Sequence, residues 1–226
     1  MRYSLIMFDS DGTLLDFAHA ERTAFFRAFE HFGVPVGEDE LKLYSKINDD
    51  CWKMLERKEI TKPQLFTRRF SEFLKEINVK LDPAEVNKTY LSFLSQDGTV
   101  LPGVIPVLEK LSVTHELVII TNGTDFVQRG RLADSKIEKY FTHTFISDVL
   151  GVQKPDRCFF DIALEQLGRT DRENMLVVGD SLTSDIRGAN NAGIDACWYN
   201  PNKTPKRDGF DVKYEINQLS ELFDIV

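Results

Sequence analysis

Five short apolar runs along the chain have the character of strands that lie inside a sheet. They are short, and they show no polar face at helical spacing. These runs predict strands at Tyr3–Phe8, Glu116–Ile120, Thr144–Ile146, Met175–Val178 and Asp195–Tyr199. Among the later runs, apolar residues recur at helical spacing over Gly103–Leu111, Asp156–Leu167 and Thr183–Ala192. This alternation predicts an α/β fold, in which a parallel sheet carries helices on both faces.

The stretch from Phe17 to Pro102 interrupts the alternation, because it contains no convincing strand pattern. Helical patterns cover Ala18–Phe32, Glu38–Lys58, Lys62–Glu76 and Pro83–Ser95. We interpret their aromatic stripes as the core of an all-helical insertion, not as a cofactor site. Near the other end of the chain, residues 200–211 are rich in Pro, Lys and Asn, and we expect them to form a surface loop.

The composition fits one folded domain with a smaller inserted one. The chain has 226 residues, of which 42% are hydrophobic, and this suffices for a sizeable core. A formal net charge of -8 and a pI of about 5.1 argue against a nucleic acid polymer or an anionic membrane as partner. An anionic substrate would therefore need a local positive group, such as a metal ion or a buried lysine.

The cysteines indicate a cytoplasmic protein. Cys51, Cys158 and Cys197 are far apart in the sequence, and an odd count without C-x-x-C spacing suggests reduced thiols. We see no signal peptide and no segment long enough to span a bilayer. The sequence leaves the oligomeric state open.

Two carboxylates follow the first predicted strand in the segment Asp9-Ser10-Asp11-Gly12-Thr13. Ligands of open α/β sheets bind at the carboxyl ends of the strands. Side chains at positions i and i+2 of an extended segment share one side, so Asp9 could attack an electrophile while Asp11 moves protons. The alternative is a simple turn, in which Asp and Gly are common.

Three further polar groups follow later strands. Thr121 and Asn122 lead into a Gly, as in phosphate-binding loops, although an N-cap explains them equally. Lys154 precedes Pro155, although a lone lysine is usually solvated. Asp180 and Asp185 span a strand-to-helix turn and could hold a cation together with Asp9; helix capping is the alternative. Four such groups in order, each after a strand, are not expected by chance.

With these four motifs, DSDGT, TNG, the lysine of QKP and GDSLTSD, the chain resembles the phosphatases of the haloacid dehalogenase (HAD) superfamily over its whole length. The resemblance implies a Rossmann-like core sheet of strand order 5-4-1-2-3. It also implies that residues 1–16 and 103–226 form the core domain and that residues 17–102 form a helical C1 cap.

The resemblance further implies a Mg²⁺-dependent phosphomonoesterase that acts through an aspartyl-phosphate. Asp9 is then the nucleophile and Asp11 the acid and base. Thr121, Asn122 and Lys154 bind the phosphoryl group, and Thr121 and Lys154 also count as catalytic. The metal ligands are Asp9, Asp11 through its backbone carbonyl, Asp180 and, in the first or second coordination shell, Asp185.

Several less specific segments of the chain are similar to the YjjG/YfnB-type 5′-nucleotidases, which hydrolyse pyrimidine and noncanonical nucleoside monophosphates. They include Asn48 and Trp52, Arg69-Phe70, and Cys197-Trp198-Tyr199-Asn200. Asn48 and Trp52 lie four apart on one helical face and could contact a base. Alternatively, Trp52 belongs to the cap core and Asn48 is an exposed helix residue.

Three other functions remain open. A dehalogenase shares the nucleophile, but its motif normally lacks the second acid, so Asp11 favours phosphoryl transfer. A phosphatase or mutase acting on a phosphosugar or another small phosphometabolite keeps both acids. A non-catalytic binding protein on the same fold is the alternative from another class.

Overall fold

The computed structural model describes residues 2–206 and 208–226, and within them the chain forms two compact units. We call Met1–Phe17 with Gly98–Val226 the core unit, and Ala18–Asp97 the helical unit. The sequence placed the second boundary after Pro102. Residues 98–102 instead belong with the core unit, in which Leu15 bridges to Val100 and the N–H of Leu101 donates to the carbonyl of Leu14.

The core unit is built on a six-stranded sheet in which each neighbouring pair is parallel. Its strands are β1 (Leu5–Asp9), β2 (Glu116–Thr121), β3 (His143–Ile146), β4 (Met175–Gly179), β5 (Asp195–Tyr199) and β6 (Tyr214–Ile216). The order across the sheet is β3-β2-β1-β4-β5-β6. The predicted fold class is confirmed, and the predicted order needs one correction, because β6 extends the sheet beyond β5.

The central strands are buried on both faces, and this explains why they read as continuous apolar runs. In β1, Ile6 and Phe8 belong to one apolar cluster, whereas Leu5 and Met7 belong to another. Alternate residues of a strand point to opposite faces, so each face of the sheet has its own core. The sheet is therefore a rigid base that holds the carboxyl ends of β1, β2 and β4 together.

Helices cover this sheet. In the core unit they are α5 (Val104–Leu111), α6 (Asp125–Ser135), α7 (Ser147–Leu150), α8 (Arg157–Gln166) and α9 (Arg187–Ala192). Short 3₁₀ segments lie at Glu138–Tyr140, Arg172–Asn174 and Leu219–Asp224. The predicted helix over Thr183–Ala192 begins instead with a π-helical turn, Leu182–Ile186, which passes into α9. None of the helices among the described residues has the length and apolar character needed to cross a bilayer.

The helical unit contains α1 (Phe17–His31, whose first residue lies in the core unit), α2 (Glu38–Glu56), α3 (Lys62–Glu76) and α4 (Pro83–Leu94). Its core is aromatic, as the stripes predicted: the Tyr44 ring stacks on Phe25 and on Phe70 at centroid distances of 5.2 and 4.9 Å. Gln64 accepts from the N–H of Thr61 at the start of α3, and Asp82 caps α4. These caps supply partners for backbone donors that a helix start leaves unpaired.

Candidate active site

Asp9 is the last residue of β1, with Ile120 of β2 as its register partner. The sequence placed the carboxylate just after the strand, whereas the structure includes it in the ladder. β1 is central and fully buried, and its pairing with β2 extends through Asp9, whereas its pairing with β4 ends at Phe8. The Asp9 side chain is 10% exposed, so it is fixed in place and still reachable from solvent.

Lys154 connects the first and fourth motifs. Its Nζ donates to Asp9 Oδ1 at 2.6 Å, to Asp185 Oδ1 at 2.7 Å and to the carbonyl of Ile120 at 2.9 Å. The ammonium group therefore uses all three of its N–H donors, and its side chain is 1% exposed. Burial by itself lowers the pKa of Lys154, but attraction to Asp185 and Asp9 outweighs it and raises that pKa above its usual value.

The carboxylates of Asp9, Asp180 and Asp185 converge beside this lysine. One oxygen from each lies within 4.8 Å of the other two. Burial and the charge of Asp185 raise the pKa of Asp9, and Lys154 opposes that rise. Asp180 is partly accessible to solvent. Desolvation by the surrounding chain is the largest cause that raises its pKa to about 7, and repulsion from Asp185 is the second.

Local backbone geometry brings the three carboxylates together. Ser181 Oγ accepts from the N–H of Ser184, and the π-helical turn that follows places the Asp185 carboxylate against β4. A Cβ at Gly179 would lie 2.3 Å from the Asp185 carboxylate, and one at Gly12 would lie 2.6 Å from Asp180 Oδ2. The two glycines therefore leave space for the acidic side chains.

The chemistry of this donor set fits Mg²⁺. Three carboxylates face one ammonium group, so the site has excess negative charge, and hard oxygen donors are the ligands that Mg²⁺ prefers. Burial, and after it the charge of Asp185, raises the pKa of both Asp9 and Asp180, and a bound cation would favour the charged form of both carboxylates. Asp9, Asp180 and Asp185 are therefore the residues that could hold a metal.

Thr121 and Asn122 lie at the end of β2 and have different partners. Thr121 is buried, and its Oγ1 accepts from the N–H of Gly123 at 3.0 Å, which orients the hydroxyl. The Asn122 side chain bonds both the N–H and the carbonyl of Lys154, at 2.9 and 2.8 Å. The side chain of Asn122 thus fixes the backbone of the lysine.

Asp11 meets two residues that the sequence did not suggest. Its Oδ1 accepts from Arg131 Nη1 at 2.5 Å, and its Oδ2 accepts from Gln128 Nε2 at 2.6 Å. Both partners lie on α6, the helix that follows Thr121-Asn122-Gly123, whose bounds the sequence pattern did not predict. The buried face of α6 is half polar, with Gln128 and Arg131 between Val127 and Leu132, so it lacks the apolar stripe that would have identified it.

Asn48 and Trp52 lie in the helical unit. Asn48 is buried, and both ends of its amide are bonded: Nδ2 donates to Glu21 Oε1, and Oδ1 accepts from Arg69 Nη1, each at 2.9 Å. The alternative of an exposed Asn48 is therefore wrong. Trp52 packs beside a small cluster formed by Cys51, Leu55 and Leu65.

Trp198 has a position in the core unit that bears on the site. It lies on β5, and its Nε1 donates to the backbone carbonyl of Asp180 at 2.8 Å. This bond helps to hold the chain at the end of β4.

Comparison with known proteins agrees with this geometry. The model of a family described as haloacid dehalogenase-like hydrolases matches residues 6–199. The chain is 37% identical over 225 residues to the pyrimidine 5′-nucleotidase PynA of Streptococcus pneumoniae, covering 99% of this chain and 95% of that protein. It is 33% identical over 222 residues to the pyrimidine 5′-nucleotidase YjjG of Escherichia coli, covering 98% and 97%.

A solved structure is also similar. The chain superposes on the HAD-hydrolase YfnB of Bacillus subtilis, crystallised with magnesium bound, with a TM-score of 0.96. The two sequences are 35% identical, and the match covers 100% of this chain and 99% of that one. The resemblance inferred from the four motifs is confirmed.

Proposed function

This chain belongs to the haloacid dehalogenase-like hydrolases, and we propose that it is a Mg²⁺-dependent phosphomonoesterase that acts on nucleoside 5′-monophosphates. The observation that carries the proposal is the Lys154 ammonium held between Asp9 and Asp185, with Asp180 beside them and Asp11 two residues after Asp9. A second acid next to the nucleophile suits a reaction in which a proton must be given to an alkoxide.

Asp9 is the proposed nucleophile. Its carboxylate attacks the phosphorus, the bond from phosphorus to the ester oxygen breaks, and an aspartyl-phosphate forms. Asp11 donates a proton to the leaving oxygen, which departs as an alcohol. Asp11 then takes a proton from water, which attacks the phosphorus, releases inorganic phosphate and restores Asp9.

Three groups of this chain are placed to bind the transferring phosphoryl oxygens. They are the Thr121 hydroxyl, the N–H of Asn122 and the Lys154 ammonium, which would exchange one of its three present partners for a phosphoryl oxygen. Asp9, Asp180 and Asp185, with the backbone carbonyl of Asp11, would hold Mg²⁺, whose charge when bound offsets repulsion between the Asp9 carboxylate and the phosphate dianion.

The substrate class is taken from the relatives. PynA and YjjG bear the name pyrimidine 5′-nucleotidase, and they match this chain over nearly its whole length. We therefore propose pyrimidine or noncanonical nucleoside monophosphates as substrates. A role for Asn48 and Trp52 in base recognition stays a prediction, and the bonded amide of Asn48 would have to exchange partners to contact a base.

The test is a comparison of kcat/KM for dUMP or dTMP with kcat/KM for a hexose 6-phosphate, both with Mg²⁺. We expect the higher value for the nucleotide, because specificity is a difference in transition-state binding. Protein carrying Asp9→Asn serves as the control for contaminating phosphatase. A higher value for the sugar phosphate would contradict the nucleotidase proposal and leave the phosphatase proposal intact, whereas no phosphate release from either ester would contradict both.

A further inference from the structure

We infer that Gln128 and Arg131 of α6 are positioning residues for the carboxylate of Asp11. The inference rests on the proposed function, because the orientation of Asp11 affects the rate only if Asp11 transfers protons. It concerns residues outside the four motifs, on a helix whose exposed side carries ordinary surface residues such as Arg129.

The two contacts engage both oxygens of the Asp11 carboxylate. Arg131 Nη1 binds Oδ1 at 2.5 Å and Gln128 Nε2 binds Oδ2 at 2.6 Å, so each oxygen has its own donor. Two donors on two oxygens fix the rotation of a carboxylate as well as its position, and charge-assisted bonds of this length are the strong ones. The Asp11 side chain is 25% exposed, whereas that of Arg131 is fully buried, so the restraint comes from the protein interior.

The loop after β2 leaves room for the Gln128 amide. A Cβ at Gly123 would lie 2.3 Å from Gln128 Nε2, a contact that real Cβ atoms essentially never make. Gly123 is the glycine of the second motif, so this motif leaves space for the Gln128 side chain in addition to contributing to the proposed phosphate site. The same amide leaves Gln128 Oε1 buried without a hydrogen-bond partner in the described part of the chain.

That unpaired oxygen is informative. A buried acceptor without a partner destabilises the fold, and an apolar side chain would avoid that cost. A carboxylate can only accept hydrogen bonds, so the amide must present its N–H to Asp11. No contact to Oε1 among the described residues compensates for this cost. The bond from Gln128 Nε2 to Asp11 is therefore the contact that explains an amide at this position.

Arg131 is itself held in place. Its Nη2 donates to the carbonyl of Asp16 at 3.4 Å, and its guanidinium lies 5.7 Å from the ring centroid of Phe17. On the backbone side, a Cβ at Gly98 would lie 2.3 Å from the carbonyl of Arg131, so the chain passes α6 at very close range. The guanidinium therefore has a fixed position from which to orient Asp11.

A positioning role for Asp11 has a specific kinetic consequence. The alkoxide of a nucleoside leaves only with a proton, whereas nitrophenolate leaves without one. The parameter kcat/KM reports the step that forms the aspartyl-phosphate, provided that this step is irreversible. Misplacing Asp11 should therefore reduce kcat/KM for a nucleoside monophosphate more than for p-nitrophenyl phosphate.

The experiment measures both esters with the Gln128→Met protein, which keeps the length of the side chain and removes its N–H donors. We expect a loss at least about tenfold larger for the nucleotide, since general acid catalysis contributes about 10²–10⁴-fold. Arg131→Lys, which keeps the positive charge and loses the forked geometry, should change the ratio in the same direction. Arg129→Met, on the exposed side of the same helix, should leave the ratio unchanged.

A double-mutant cycle separates positioning from a structural effect. In an Asp11→Asn background, Gln128→Met should no longer change the ratio of the two kcat/KM values, because the group that it positions is gone. Equal losses on both esters in a folded, active enzyme would overturn the inference and leave the proposed function intact. A wild-type protein that releases phosphate from neither ester would contradict the proposed function, and this inference with it.

Discussion

Lys154 is the side chain on which the geometry of the candidate site depends. It is buried, it joins two carboxylates from different strand ends, and its third N–H is taken by a β2 carbonyl. A buried ammonium group is tolerated only when its donors are bonded and its charge is compensated. The arrangement keeps Asp9 close to a positive charge, which would favour the approach of a phosphate dianion if Asp9 is the nucleophile, as we propose.

The first prediction concerns Asp9. Asp9→Asn should lower kcat at least about a thousandfold, because an amide cannot form the acyl phosphate. The fold should persist, since the amide oxygen can still accept from Lys154. Phosphate release measures the effect, and circular dichroism of the same preparation checks the fold. Full activity of the purified variant would show that Asp9 is not the nucleophile.

The second prediction concerns the metal. Asp180→Ala should raise the Mg²⁺ concentration at half-maximal activity by about tenfold or more, which corresponds to about 1.4 kcal/mol, because one of three converging carboxylates is lost. Activity is titrated against Mg²⁺ for this variant and for Glu138→Ala, which removes an exposed carboxylate from the 3₁₀ segment before β3. If both variants give the wild-type midpoint, Asp180 is not a ligand.

The four helices of the helical unit are joined by a buried polar network. Its buried members are Glu21 from α1, Asn48 from α2, Arg69 from α3 and Asn87 from α4, and the partly buried Ser45 of α2 also donates to Glu21. Asn48 bridges Glu21 and Arg69, and Arg69 also donates to Asn87 Oδ1 at 2.6 Å. Burial raises the pKa of Glu21, although the bonds from Ser45 and Asn48 oppose the rise. A buried polar network that spans four helices contributes to specifying how they pack.

The third prediction tests this network. Asn48→Leu should lower the free energy of unfolding by about 2–4 kcal/mol, because it leaves a buried carboxylate oxygen and a buried guanidinium N–H unpaired. Lys46→Leu, at an exposed position of the same helix, should change it by no more than about 0.5 kcal/mol. Urea denaturation followed by circular dichroism gives both values. Equal changes in the two variants would mean that the Asn48 bridge does not stabilise the unit.

Across the whole chain, the three cysteines differ in their access to solvent. Cys158 is exposed on α8, whereas Cys51 in the helical unit and Cys197 on β5 are buried, and all three are free thiols. Burial raises the pKa of Cys51, and it raises that of Cys197 to about 12. Since the thiolate is the reactive form, the buried cysteines should be inert in the native protein.

The fourth prediction follows from this difference. Ellman's reagent at pH 8 should react rapidly with one thiol per native chain and with three after denaturation. Cys158→Ser should abolish the rapid phase and leave the remaining two thiols protected. Two or more rapidly reacting thiols in the native protein would show that one of the units opens more readily than its packing indicates. The cytoplasmic location inferred from the cysteines stays a prediction.

The sequence by itself determined the strands and the order of the chemistry along them. The central strands of a parallel sheet are buried on both faces, so their apolar runs are visible without any partner, and their carboxyl ends share one edge. Asp9, Thr121, Lys154 and Asp180 could therefore be assigned to one site, although Lys154 lies 145 positions from Asp9.

Only the tertiary structure decided which polar side chains meet away from the strand ends. β6 is three residues long, and it is held by the bond from the N–H of Asn200 to the carbonyl of Ile216, which no local pattern reveals. As polar residues, Gln128, Arg131 and Asn48 would be expected at the surface from their residue type alone. They are buried because each has a hydrogen-bond partner far away in the sequence. Periodicity records which face of an element is apolar, whereas a buried polar contact depends on two elements at once.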